Sequence, residues 1–203
     1  MSKLKHSQNI REQLLNQGVN ILISQGYHGA SIKQLVERVK VPKGSFYNYF
    51  KSKEDFAAEV IKQYTQQWLN NLDTWLNDPE KDAFNALKQF FQQQILPHPA
   101  KEGCLIGNLG AELGDSSELC RQTMSESLQL IQQRFSRVLA KAQKQGTVRA
   151  DLAAEELASI LLNAYEGALL RMQIEQSVEP LQQFTKLMLD KFLCIKDYDI
   201  EEK

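Results

Sequence analysis

Apolar residues recur at three- and four-residue intervals along almost the whole of this 203-residue chain. Such spacing places them on one side of an α-helix, whereas the strict alternation typical of a β-strand is nearly absent. Helices are expected to begin or end where glycine and proline interrupt the pattern: Gly26, Pro42, Pro79, Pro97, Pro99, Gly114, Gly146 and Pro180. Because 42% of the residues are hydrophobic, a sizeable core can be buried. The sequence therefore predicts an all-α fold.

The first quarter of the chain predicts several short helices in close succession. A short loop is expected over residues 27–30, after which Ser31 opens a helix, with Gln34 at the capping-box position. Pro42 interrupts the helical pattern, because proline lacks an amide hydrogen and is tolerated only in a first turn. The next helix is predicted from about Lys43 to Phe50. Ser52 then resembles the N-cap of a long helix.

A supporting helix, a tight turn and a short second helix make a helix-turn-helix, whose second helix enters the major groove of DNA. Phe46 and Phe50, four residues apart, are expected to anchor that short helix to the core. Lys43 suits a phosphate contact, and Gly44 allows the backbone to approach a phosphate closely. The alternative is a helical hairpin with a solvated basic face.

Positive charge is concentrated at the amino end of the chain. Residues 1–53 hold nine lysines and arginines against Glu12 and Glu37, a net charge of +7. Since the whole chain carries −1, the remaining residues carry −8. A basic head on an acidic body suits a protein that presents one end to a polyanion, although a chance fluctuation along a solvated surface gives the same numbers.

The run from Pro42 to Glu54, with Gly26-Tyr27, Ser31 and Leu35-Val36 before it, resembles the recognition helix and fourth-helix start of the TetR family of bacterial repressors. The resemblance implies a homodimer with a helix-turn-helix DNA-binding domain over residues 1–55 and a helical effector-binding and dimerisation domain over 56–203. By position, it implies that double-stranded operator DNA is contacted by Ser31, Lys33, Lys43, Gly44, Ser45, Tyr47, Asn48, Tyr49 and Lys53.

The turn before Pro42 departs from the family pattern. Lys40 stands where the family usually has glycine, and a residue with a side chain disfavours a positive φ angle. A lysine at this position also offers an additional phosphate contact.

The rest of the chain resembles one branch of the family, the branch that includes the N-ethylmaleimide-responsive repressor. The matching segments are Gly103-Cys104-Leu105, residues 166–170 and Glu179-Pro180-Leu181. Cys104 follows Gly103 at a predicted helix start, where unpaired amides and the helix dipole stabilise a thiolate. It is therefore a candidate sensor of electrophiles or oxidants, and the alternative is a small buried hydrophobic residue.

Dimer contacts are expected on the two long C-terminal helices, and the residues singled out lie on the helix that carries residues 157–172. Its small residues allow a second helix to approach closely, and its larger ones offer apolar contact. The residues assigned to the interface are Leu161, Ala164, Gly167, Ala168, Leu170 and Met172. Packing in the core of the same chain is the alternative, and both contacts can hold in part.

Other classes of function leave few signals in the sequence. Trp68, Trp75, Phe84, Phe90 and Phe91 could line a ligand cavity, although aromatic residues at helical spacing are more often core. We identify no nucleophile–base pair, phosphate loop or catalytic carboxylate pair, so no enzyme, cofactor or metal is expected. A polar amino terminus, no membrane-length apolar run and three cysteines without a CxxC pair favour a cytoplasmic protein.

The prediction is therefore a DNA-binding transcriptional regulator, most simply a repressor released by a small ligand or by modification of Cys104. The alternative is a helical module that binds a small molecule or a protein and does not bind DNA. An enzyme with an aromatic helical pocket is a further rival.

Overall fold

The computed structural model describes residues 2–77, 82–95 and 103–195. These ranges are dominated by α-helix and contain no strand, only an isolated antiparallel bridge between Val148 and Cys194. The predicted all-α fold is confirmed. The helix ends predicted at Pro79, Pro97 and Pro99 lie outside the described residues.

The helices of the described ranges follow the predicted order. They are α1 (Ser2–Gly29), α2 (Ile32–Val39), α3 (Lys43–Phe46), α4 (Lys53–Leu76), α5 (Ala83–Ile95), α6 (Leu105–Leu113), α7 (Glu118–Lys144), α8 (Ala154–Glu175) and α9 (Glu179–Phe184). Helix α9 continues directly into a π-helix over Thr185–Phe192. A search of the described helices finds none that is both long and apolar enough to span a membrane.

The chain divides into two compact units. The first is Met1–Trp68 with Glu102–Gln129, and the second is Leu69–Lys101 with Leu130–Lys203. The division falls within α4 and α7, so each of these helices contributes residues to both units. The functional boundary placed after residue 55 stays a prediction.

In the first unit, α1 packs tightly against α4. A Cβ atom on Gly18 would lie 2.5 Å from Cζ of Phe56 and 2.7 Å from Cγ2 of Val60, so only glycine fits this contact without a shift of its neighbours. Arg11 of α1 also pairs with Glu59 of α4 at 2.5 Å. The three- and four-residue spacing predicts an apolar face of α1 at Ile10, Leu14, Ile21 and Leu22. The last three are buried, as is Leu15, whereas Ile10 is half-buried.

In the second unit, an aromatic cluster forms the centre of the core. The ring centroid of Phe91 lies 5.0 Å from that of Tyr165, 5.1 Å from that of Phe184 and 5.7 Å from that of Phe135. Phe84 and Phe90 are also buried, at 4% and 0% exposure. These phenylalanines of α5 therefore behave as core residues, the alternative that the helical spacing favoured.

The structure corrects three local predictions. Residues 27–29, expected in a loop, add one helical turn to α1 beyond a break at Gly26, whose φ is 69°. Ser31 precedes α2 as predicted but makes no side-chain capping hydrogen bond. Helix α3 ends at Phe46 and not at Phe50, because the amides of Asn48 and Tyr49 bond to carbonyls three residues back.

Candidate nucleic-acid interface

The turn between α2 and α3 is closed by a left-handed residue. Lys40 has φ 59° and ψ 42°, a conformation that costs a residue with a side chain about 1–2 kcal/mol. Its amide donates to the carbonyl of Glu37 at 3.1 Å, and the amide of Val41 donates to that of Val36 at 3.0 Å. These two bonds form the Schellman arrangement that ends many helices. The chain thus adopts the glycine-type turn in spite of the lysine.

An aromatic cluster fixes the orientation of α3. The ring centroid of Phe46 lies 5.2 Å from that of Phe50 and 5.4 Å from that of Phe56, and Phe50 and Phe56 are 4.9 Å apart. Phe46 and Phe50 are 0% and 2% exposed, as the four-residue spacing predicted. Because one side of α3 is held in the core, its other side must face outward.

Three of the residues assigned to DNA, Lys43, Gly44 and Ser45, lie on α3. Tyr47, Asn48 and Tyr49 lie in the turn that follows, and the others lie before α2, on α2 or at the start of α4. Tyr47 is 55% exposed, which is unusual for a tyrosine beside a well-packed aromatic core. The exposed members of the set are Ser31, Lys33, Lys43, Gly44, Tyr47 and Asn48, and the half-buried ones are Ser45, Tyr49 and Lys53. No atom would lie within 4 Å of a Cβ on Gly44, so the backbone there is open to a ligand.

The start of α4 completes this face. The amide of Asp55 donates to Oγ of Ser52 at 3.0 Å, which confirms Ser52 as an N-cap, and the Asp55 carboxylate accepts from the amide of Lys51 at 2.9 Å. Nζ of Lys53 lies 4.5 Å from the centre of the Tyr27 ring. Burial lowers the pKa of Lys53, while the nearby charge of Glu112 raises it.

Two features of this region carry no signal in the sequence. The ring of Tyr27 lies beneath the ammonium of Lys53, and the first two backbone amides after Gly26, those of Tyr27 and His28, donate to Glu112 of α6. The hydrogen bonds to Glu112 span 85 positions from Tyr27 and 84 positions from His28, and local sequence patterns give no information about contacts over such separations. Arg38, Lys40 and Lys51 are exposed as well, so the cationic surface is wider than the predicted contact set.

Comparison with known proteins identifies the family. The model of bacterial regulatory proteins of the tetR family matches residues 14–60, and the model of the tetracyclin repressor-like C-terminal domain matches residues 82–188, more than half of the chain. The chain belongs to the TetR family. This TetR-family protein is 32% identical over 184 residues to the HTH-type transcriptional repressor DhaR of Mycobacterium sp. (strain GP1), a match that covers 91% of this chain and 92% of DhaR.

Two solved structures extend the comparison. The reduced form of Escherichia coli NemR superposes with a TM-score of 0.83 at 27% identity, over 92% of this chain and 97% of that one. The regulatory protein TetR from Rhodobacter sphaeroides gives 0.81 at 30% identity, over 88% and 96%. The predicted family, its NemR-like branch and the role of a DNA-binding transcriptional regulator are thereby confirmed.

The three cysteines occupy different environments. Cys104 is the N-cap of α6, as its position after Gly103 predicted, and is 8% exposed. Cys120 is fully buried, and burial raises the pKa of its thiol. Cys194 is half-buried, with its sulfur 3.6 Å from Nζ of Lys88. Within the described ranges, histidine, cysteine and carboxylate side chains form no group of three or more that could hold a metal.

Helix α8 has two faces of different character. Leu161 and Met172 are fully buried and Ala168 is 7% exposed, so these three belong to the core of their own chain. This burial is the core packing that the sequence analysis gave as the alternative, and the assignment of these residues to a dimer interface stays a prediction. The outward face carries Ala164, Gly167 and Leu170 of the predicted set, and the exposed Ile160 and Ile174 lie on the same face.

Proposed function

We propose that this TetR-family protein is a repressor that binds operator DNA through α3 and is released when a small ligand or modification of Cys104 changes its conformation. The observation that carries the DNA-binding part is the exposure of Lys43, Tyr47 and Asn48 while Phe46 holds the helix in place. DhaR and NemR, both named as transcriptional repressors, support repression as the action. Such a protein acts on the bacterial chromosome in the cytoplasm.

The proposed contacts divide into two kinds. Lys43 and Lys53 neutralise phosphates, which sets affinity, whereas Tyr47 and Asn48 face the base edges, which sets sequence preference. Ser31, Lys33 and Tyr49 fix the register on the backbone. Because phosphate contacts release counterions, affinity for DNA falls as salt concentration rises.

The test is a binding titration with the intergenic DNA beside the gene. Each lost phosphate contact lowers the slope of log K against log salt by about 0.9, so Lys43→Ala should weaken binding and flatten that slope. Lys144→Ala, an exposed lysine at the end of α7, is the matched control and should change neither. Failure of the wild-type protein to retard this DNA over a random fragment would favour the binding-module alternative.

Cys104 is the proposed point of chemical sensing. Cys104 lies at the amino end of α6 and is 8% exposed, so a reagent reaches its thiol only when the helix start opens. Alkylation would add bulk to a residue with almost no exposed surface, so α6 would have to shift. Escherichia coli NemR has been solved in a reduced form, which supports a redox response as part of this proposal.

A Cys104→Ser variant tests the sensor directly. It should bind operator DNA like the wild type but remain bound when a maleimide is added, whereas the wild type should be released. Cys194→Ser is the matched control, because Cys194 is the half-buried cysteine that the proposal gives no sensing role. The maleimide should still release this variant from operator DNA. Release of the Cys104→Ser variant by the maleimide would move the sensor to another residue.

Dimerisation is proposed through the outward face of α8. Ile160, Leu170 and Ile174 expose 37%, 56% and 72% of their surface, and Gly167 between them has open space above its backbone. An exposed apolar stripe of this kind is costly in water and suits the isologous contact of a two-fold dimer. A dimer also supplies the two recognition helices that successive major grooves require.

A further inference from the structure

Glu112 of α6 binds the last turn of α1 through two backbone amides. Its Oε1 accepts the amide of Tyr27 and its Oε2 accepts the amide of His28, each at 2.9 Å. Both amides follow the break at Gly26, where a helical turn restarts and its first amides have no partner within the helix. A carboxylate suits such a turn, because its negative charge is attracted to the positive end of the helix dipole.

Gly26 shows that the contact is closely fitted. A Cβ atom at this position would collide with the carboxylate of Glu112, and the φ of 69° is also one that residues with side chains rarely adopt. A second hydrogen bond lies nearby, donated by the hydroxyl of Ser117 to the carboxylate of Glu54. The segment from α6 to α7 is therefore joined both to the end of α1 and to the start of α4.

Tyr27 connects this contact to the candidate DNA interface. Its ring lies under Nζ of Lys53 at 4.5 Å, and the charge of Glu112 acts on the same ammonium group. A lysine side chain loses much rotamer freedom when it binds a phosphate. A ring that already restrains the ammonium reduces that loss, so affinity depends on where Tyr27 is held.

We propose that Glu112 is a positioning residue for DNA binding, which fixes Tyr27 and, through its ring, the phosphate-contacting ammonium of Lys53. The inference rests on the proposed function, since it assigns Lys53 a phosphate contact. It adds a specific route by which a shift of α6 reaches the DNA interface, from Glu112 to the turn after Gly26 and then to Lys53. Neither Glu112 nor Tyr27 touches DNA in this scheme.

The test is a double-mutant cycle measured on the intergenic DNA fragment at several salt concentrations. Glu112→Ala should weaken binding about tenfold, the scale of one hydrogen bond to a charged group, and lower the salt slope by about 0.9. Lys53→Met should reduce affinity and salt slope by the same amounts when made in the wild type. Made in the Glu112→Ala variant, it should change either value very little, because the effects of residues that act through one contact are not additive. Fully additive effects would overturn the inference.

Further variants separate positioning from a loss of folding. Tyr27→Phe keeps the ring and should bind like the wild type, whereas Tyr27→Leu should reproduce the loss seen in Glu112→Ala. Glu118→Gln, an exposed acid on α7 paired with Arg121, is the matched control and should leave binding unchanged. Equal binding by Tyr27→Phe and Tyr27→Leu would also overturn the inference. If the wild-type protein does not bind the DNA fragment, both the proposed function and this inference are wrong.

Discussion

Replacement of Lys40 by glycine should make the protein more stable while weakening its hold on DNA. Lys40 sits at φ 59° and ψ 42°, where a side chain costs about 1–2 kcal/mol. Glycine removes that strain but loses about 0.5–1 kcal/mol through the greater freedom of the unfolded chain. The net gain is about 0–1.5 kcal/mol, centred on about 0.75 kcal/mol, which corresponds to a rise of roughly 2 °C in the melting midpoint of a chain of this length.

The matched control is Lys40→Ala, which removes the same charge but keeps a Cβ atom in the left-handed conformation. Urea denaturation followed by circular dichroism should place Lys40→Gly above the wild type in free energy of unfolding, and Lys40→Ala at or below it. In DNA titrations the slope of log K against log salt should be about 0.9 shallower in both variants than in the wild type, because both lose a phosphate contact of Lys40. Equal stability of the glycine and alanine variants would refute the strain argument.

Three further predictions concern the core, the dimer and pH. Phe46→Ala removes a fully buried ring of the aromatic cluster and should lower the free energy of unfolding by about 3–5 kcal/mol, measured by urea titration. Ile174→Arg should shift the protein from dimer to monomer in sedimentation, whereas Lys144→Ala should not, and an unchanged dimer would exclude this face of α8. Burial by itself lowers the pKa of Lys88, but hydrogen bonds and charges from Asp190 and Cys194 outweigh it and raise that pKa. Lys88 should therefore stabilise the fold fully below about pH 10.5, the usual lysine pKa, and lose this effect as the pH rises through the raised pKa of the folded protein. The unfolding free energies of Lys88→Met and the wild type should then converge at high pH. A difference that stays constant with pH would contradict this.

Local patterns sufficed for much of the fold and for the outline of the candidate site. Helix α4 begins after Ser52 as predicted, because an N-cap serine satisfies an amide of its own first turn, a contact within three residues. The burial of Phe46 and Phe50 followed from their four-residue spacing in the same way. These features depend on neighbours along the chain, so the sequence reports them directly.

Other features depended on partners that are distant in the sequence. The inward direction of Leu161, Ala168 and Met172 was set by the core that α8 meets, since composition alone suited either side of the helix. The glycine-type turn at Lys40 formed because two backbone hydrogen bonds and the burial of flanking helices outweigh its strain.

What the sequence determined by itself was the helical periodicity, the breaks between helices and the basic amino end, all of which are properties of neighbouring residues. What only the tertiary structure decided was which residues meet across long separations. Glu112 reaches the amides of Tyr27 and His28 because α6 packs beside α1, and no local pattern encodes that approach. For the same physical reason, the proposed link between α6 and the DNA interface is a tertiary contact that no sequence motif reports.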